Sequence, residues 1–173
     1  HARGAPVEGF ARPDTLDTLL ARFGYAFEGS AAGYPPVVTA NLLPDRLRIG
    51  PIAVGVVDQP HGDISATGLR FDVDGRSIGY STDFNAMTDE MIMLFQGVDV
   101  WIVDALRRRP HPSHGHLDQV LGWIARVQPR RVDASTHRAH GVDVLCVVGV
   151  VDESAEVHAV PRSQVLEQME GAH

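Results

Sequence analysis

Cysteine is nearly absent. Cys146 stands alone in 173 residues, which excludes an internal disulfide and any thiolate metal cluster built from this chain. Lysine is missing altogether, so all 15 basic side chains are arginine; a GC-rich coding sequence is the simplest source of that bias. Positive charge is outweighed, with 22 acidic residues and a formal net charge of −7, so the chain carries no electrostatic footprint for nucleic acid. No apolar run approaches the roughly 18–20 residues of a membrane span, and no signal peptide leads the sequence. These absences predict a soluble, cytoplasmic protein without membrane or nucleic-acid partners.

What remains is a globular composition, 44% hydrophobic and 21% charged, long enough to bury a core without covalent staples. A single domain over 1–173 is expected. A strand over 6–10 precedes a helix opened by Arg12-Pro13-Asp14, carrying Leu16, Leu19, Leu20 and Phe23 at helical spacing and closed by Gly24. Short strands follow at 37–42 and 46–49, then a stronger one at 52–57 running into Asp58-Gln59-Pro60-His61. Residues 69–73 and 77–81 flank Asp74-Gly75, a two-residue hairpin signal. A helix over 88–95 has Thr88 as its N-cap. The apolar run 98–103 ends at Asp104, an amphipathic helix starts at Leu117 and stops before Pro129, and a short strand covers 131–135. Apolar residues 142–151 and a last helix over 161–169 complete an interleaved α/β pattern. Trp101 and Trp123 read as core, and Cys146 as a small buried hydrophobe.

The histidines say more by position than by number. His61 and Asp83 each follow a buried strand. His111, His114 and His116 lie between strand 98–103 and the next helix, and His137 and His140 follow strand 131–135. Each has a plainer reading alone: a turn histidine, a turn-capping carboxylate, a surface loop residue or a helix-start residue. Four successive strand ends bearing His or Asp point to one convergent site on a rigid sheet. Imidazole and carboxylate together suit zinc, iron or manganese, and hence metal-assisted hydrolysis. Asp104 sits where it could orient a histidine or hold a loop.

Three segments carry a more specific likeness: Tyr80-Ser81-Thr82-Asp83, the run Val98 to Arg107, and His111-Pro112-Ser113-His114-Gly115-His116-Leu117-Asp118-Gln119. Over about 6–143 the chain resembles the metallo-β-lactamase-fold phosphodiesterases, in the branch of phosphoribosyl 1,2-cyclic phosphate phosphodiesterase. The resemblance implies two divalent ions, zinc or manganese. It makes His61 a ligand of one metal, Asp83 the carboxylate bridging both, His137 a ligand of the other and His116 the catalytic histidine. His140 matches a structural-metal position, and His114 and Asp104 are candidates for supporting places.

Two departures qualify that likeness. The family's His-x-His-x-Asp-His string does not occur in the sequence, and residues 144–173 diverge. Together with a start at His1, they predict an incomplete αββα sandwich, the C-terminal portion of a metallo-β-lactamase-like fold lacking its N-terminal part. Such a chain is expected to hydrolyse a small cyclic phosphate ester weakly or not at all, with a homodimer left open. The alternatives are a ribonuclease Z-like nuclease and a catalytically silent module of the same fold.

Overall fold

A computed structural model describes residues 5–30, 33–105, 109–135 and 147–150, falling into two compact units, 1–47 and 48–173. The first unit holds strand β1 (Val7–Ala11), helix α1 (Pro13–Glu28) and strand β2 (Val38–Leu42). β1 and β2 pair in parallel with Val7 opposite Val38, a pairing that needs a crossover, which α1 supplies. Pro13 and Asp14 suit the start of α1. The expected stop at Gly24 is not where the helix ends. The backbone kinks at Phe23 and continues to Glu28, and Gly29 turns the chain at φ 83°. A Cβ on Gly29 would lie 2.7 Å from the Tyr34 carbonyl oxygen, so the position requires glycine twice over. Arg12 fixes the chain beyond β2, donating to the Leu43 carbonyl at 2.9 Å and to Asp45 at 2.7 Å.

The second unit is organised on a seven-stranded sheet, β3 (Arg46–Ile49, at the boundary between the units), β4 (Ile52–His61), β5 (Ile64–Val73), β6 (Arg76–Ser81), β7 (Val100–Asp104), β8 (Arg131–Ser135) and β9 (Val147–Val150), in sequence order. Helix α2 (Asp89–Phe95) links β6 to β7, and α3 (Leu117–Val127) links β7 to β8. β4 to β6 are antiparallel, β6 to β8 parallel, and β9 returns antiparallel to β8. Asp74 and Gly75 both take positive φ, 49° and 71°, as the tight hairpin requires. Thr88 caps α2 by accepting from the Met91 amide at 3.2 Å. The final helix expected over 161–169 and most of the apolar run 142–151 lie outside the described residues.

One face of this sheet buries the core. Phe84, Met91, Phe95, Val98, Trp101, Val103, Val120, Trp123, Ile124, Val127 and Val132 form one cluster under α2 and α3. Phe95 stacks on Trp101 with ring centroids 6.1 Å apart. That approach depends on Gly79, where a Cβ would sit 2.9 Å from Phe95 and 3.0 Å from Trp101. No described helix is long and apolar enough to cross a membrane.

The expected incomplete sandwich is corrected here. The described residues hold two sheets and three helices, the element set of an αββα-type fold. Residues 7–42 build a two-stranded sheet of their own, β1 paired with β2. Strand pairing across 31 positions is a non-local fact, which local patterning does not show.

The starts of β6 and β7 are clasped by a reciprocal pair. Asp99 accepts from the Ser77 amide at 2.8 Å and its hydroxyl at 3.2 Å, while Ser77 Oγ accepts from the Asp99 amide at 3.0 Å. The Ser77 amide, followed by its hydroxyl and the Arg130 and Arg76 charges, holds the Asp99 carboxyl below its ordinary pKa against a smaller opposing effect of burial. A depressed folded pKa means the ionised form stabilises the fold above the unfolded pKa, and that advantage fades as pH falls through the folded one. Asp99→Asn is therefore expected to be less stable than the parent chain near neutral pH. Urea melts in a pH series should show the gap closing in acid below about pH 4; a gap constant with pH would contradict this.

Candidate metal centre

Because β4 and β6 both run antiparallel to β5, they point the same way, and β7 and β8 run parallel to β6. The C-terminal ends of β4, β6, β7 and β8 therefore share one edge of the sheet. That edge receives His61 as the last residue of β4, Asp83 two residues beyond β6, and Asp104 as the last residue of β7.

Loops beyond those ends are stitched together by backbone and amide bonds. The Asn85 amide N–H donates to Pro60 O at 2.9 Å, and the Gly115 N–H to Phe84 O at 2.7 Å. The Asn85 side chain donates to Pro112 O at 2.6 Å. The segment 83–85 is thus tied to the end of β4 on one side and to the 111–116 loop on the other.

Within this frame His61, Asp83 and His114 each offer one ligand atom, all within 4.8 Å of one another. His61 Nδ1 lies 2.7 Å from Ser113 O. A carbonyl only accepts, so Nδ1 carries the proton and Nε2 keeps its lone pair for a metal, the usual outer support of a ligating imidazole. The His114 ring packs against His61 at 4.8 Å and His111 at 5.1 Å between centroids. Its Nδ1 stands 3.5 Å from Asp104 Oδ2 and 3.8 Å from Asp83 Oδ1.

Asp83 and Asp104 divide the work of the carboxylates. The Asp83 side chain is 59% exposed and that of Asp104 11%. Asp83 takes φ 59°, a left-handed conformation that few non-glycine residues adopt and Asp tolerates better than most. Its N–H donates to Asp104 Oδ2 at 3.2 Å. Burial pushes the Asp104 carboxyl above its ordinary pKa and the Asp83 charge adds to this, while the Asp83 N–H and His114 act the other way.

The residues fit a divalent cation. Two imidazoles and a carboxylate are a donor set suited to zinc, manganese or iron. His114 Nδ1 is buried without a hydrogen-bond partner, a costly arrangement that a cation bound to the cluster would relieve.

Of the residues singled out in the sequence, the structure brings His61 and Asp83 together and adds His114, expected from the sequence only in a supporting place. Gly115 is buried, and a Cβ there would meet Trp123 at 2.7 Å, so the His-Pro-Ser-His-Gly loop packs on the core instead of riding the surface. Asp104 lies directly beneath the cluster. His116 caps α3, with its backbone N–H and ring Nδ1 donating to Gln119 Oε1 at 3.3 and 2.5 Å. His116 is not in the three-residue group found among the described residues. His137, His140 and Cys146 lie outside the described residues.

The model of the Beta-lactamase superfamily domain matches residues 1–137. The match runs over most of the chain with the metal-suited cluster inside it, in place of the N-terminally truncated module expected from the sequence. Among solved structures, a diphosphatase of the PhnP family is similar at 26% identity and a TM-score of 0.64, over 76% of this chain and 47% of that one. The metallo-β-lactamase-fold protein YhfI from Bacillus subtilis superposes with a TM-score of 0.63 at 12% identity, over 82% of this chain and 56% of that one. The short form of human tRNase Z gives 0.57 at 13%, over 77% and 61%; the likeness to the latter two is one of fold. The chain spans about half the length of the first two of these structures. Among curated proteins there is no match. The family match, with the metal-suited cluster inside its span, makes the chain a member of the metallo-β-lactamase superfamily.

Proposed function

We propose that the chain is a metal-dependent phosphodiesterase acting on a small cyclic phosphate ester such as phosphoribosyl 1,2-cyclic phosphate. The observation that carries this reading is the His61, Asp83 and His114 cluster at the strand-end edge, with His114 Nδ1 buried and unpartnered. The likeness to a PhnP-family diphosphatase supports phosphate chemistry, and the −7 charge without lysine favours a small ester over RNA.

His61 and Asp83 hold the metal in this reading, with His114 as their neighbour and His137 as a further ligand. The stoichiometry proposed is two ions, zinc or manganese. A bound divalent cation would supply Lewis acidity to a phosphoryl oxygen and lower the pKa of water. Asp83 presents the exposed carboxylate, and Asp104 holds its backbone from below. His61 stays in one tautomer because its Nδ1–H donates to Ser113 O. His116 is assigned proton transfer at the leaving oxygen. Its Nδ1–H is committed to Gln119, so Nε2 is the atom that exchanges the proton.

The test is hydrolysis of small cyclic phosphate esters by the purified chain with and without added zinc or manganese. His116→Ala should keep its metal content and lose roughly 10²–10⁴-fold in turnover, the range of a removed acid–base group. His61→Ala should lose both. Metal-independent turnover, or no turnover with metal fully bound, would overturn the proposal, the second outcome favouring a silent module.

A further inference from the structure

Gln59 has no part in the chemistry above, yet it is fully buried, with 0% of its surface exposed. A glutamine in a core is costly unless both ends of its amide are satisfied. Here both are. Its Oε1 accepts from the buried Ser81 hydroxyl at 2.5 Å, and its Nε2 donates to Thr82 O at 3.0 Å. The sheet leaves room for it: at Gly68, on the neighbouring strand β5, a Cβ would lie 2.5 Å from Gln59 Oε1. Gly68 is not among the glycines with positive φ, so space rather than backbone conformation is what forbids a side chain there.

The two bonded partners, Ser81 and Thr82, lead straight into Asp83. The peptide between Thr82 and Asp83 is gripped at both ends. Gln59 Nε2 takes its carbonyl at 3.0 Å, and Asp104 Oδ2 takes its N–H at 3.2 Å. Fixing both ends fixes the plane of that peptide, one of the two planes whose relation sets the φ of the residue after it. That residue is Asp83, at φ 59°, a left-handed conformation that side-chain-bearing residues rarely adopt. Gln59 also lies two positions before His61 on β4, so one strand presents a ligand at its end and a brace for the other ligand inside.

We propose that Gln59 is a positioning residue for the metal site: with Asp104 it clamps the Thr82–Asp83 peptide and holds the Asp83 carboxylate in its left-handed, ligating pose. This rests on the reading of His61, Asp83 and His114 as a metal centre. Gln59 touches no reacting atom. Its effect is exerted through Asp83.

The experiment compares the full chain with Gln59→Met, which keeps the side-chain length and removes both hydrogen bonds, and with Ser81→Ala, which leaves Gln59 in place but unties its carbonyl. Two readouts are taken: zinc affinity by competition with a chromophoric chelator, and the NMR signature of Asp83 in the metal-free chain. A left-handed residue gives a strong intraresidue NOE between its amide and α protons. Gln59→Met is expected to weaken zinc binding by roughly 10–100-fold, the range for groups that support a ligand from outside, and to lose that NOE while core resonances persist. Ser81→Ala should move both readouts the same way by a smaller factor, and it decides the matter if Gln59→Met does not fold. Parental zinc affinity with an unchanged Asp83 NOE would overturn the clamp. If the parent chain itself binds no zinc, the metal reading fails, and the NOE alone then supports or overturns the role of Gln59.

Discussion

Asp83→Asn is expected to cost the chain more than about 100-fold in zinc or manganese affinity while leaving the fold in place. The substitution is chosen because Asn, like Asp, tolerates the left-handed backbone recorded at φ 59°. Side-chain size is also kept, so the loss reports the missing charge and not a collapsed loop. The expected magnitude follows from comparison: removing a group that merely supports a ligand costs roughly 10–100-fold, and removing the ligand must exceed it. Linkage gives an independent measure. Metal at 100 times its dissociation constant stabilises the parent by about 2.7 kcal/mol, which for a chain of this size corresponds to about 5–10 °C in melting temperature. Asp83→Asn should show little of that shift. Parental affinity together with a full metal-induced shift would remove Asp83 from the site.

Phe84→Ala is expected to be the most damaging single change near the site. Phe84 is wholly buried, stacks on Trp123 with centroids 4.7 Å apart, and sits directly between Asp83 and the bridging Asn85. Truncating a core Phe costs about 3–5 kcal/mol through lost burial and the cavity left behind. At about 2–4 °C per kcal/mol, the melting temperature should fall by about 6–20 °C. Metal affinity should fall with it, because the Phe84 ring seats on Trp123 the backbone whose carbonyl holds Gly115 at 2.7 Å, in the loop carrying His114. Phe84→Leu, which preserves most of the volume, should recover most of the stability. A loss under about 1 kcal/mol in the alanine variant would show that this aromatic pair does not carry the packing.

Much of the chain was legible locally. The Asp74-Gly75 hairpin, the Thr88 cap and the amphipathic period from Leu117 to Val127 are short-range signals, and the structure has all three. The placement of His61, Asp83 and Asp104 after buried strands could also be read, because apolar runs mark strands and polar residues mark their ends. The absence of one metal-binding string does not report on sheet content: residues 7–42 pair into a second sheet. A motif reports on ligands, and sheet formation depends on pairing that no motif encodes.

His114 and Gln59 mark where the sequence stops. Locally His114 is one of three histidines in a Pro-Ser-Gly loop, and nothing within that loop ranks it above His111 or His116. The ranking comes from Asn85 and Phe84, about 30 residues away, whose hydrogen bonds set the loop against the ends of β4 and β6. Gln59 reads as one more polar residue beside a strand end until the sheet register brings β4 against β5 and Gly68 opens space for its amide. By itself the sequence determined the element types, the buried strands and the residues delivered to their ends, because these depend on periodicity and turn chemistry between near neighbours. The tertiary structure decided which imidazole meets the carboxylate, which carbonyl fixes its tautomer and which buried amide braces it, because those are contacts between strand ends brought together only by the order and direction of the strands.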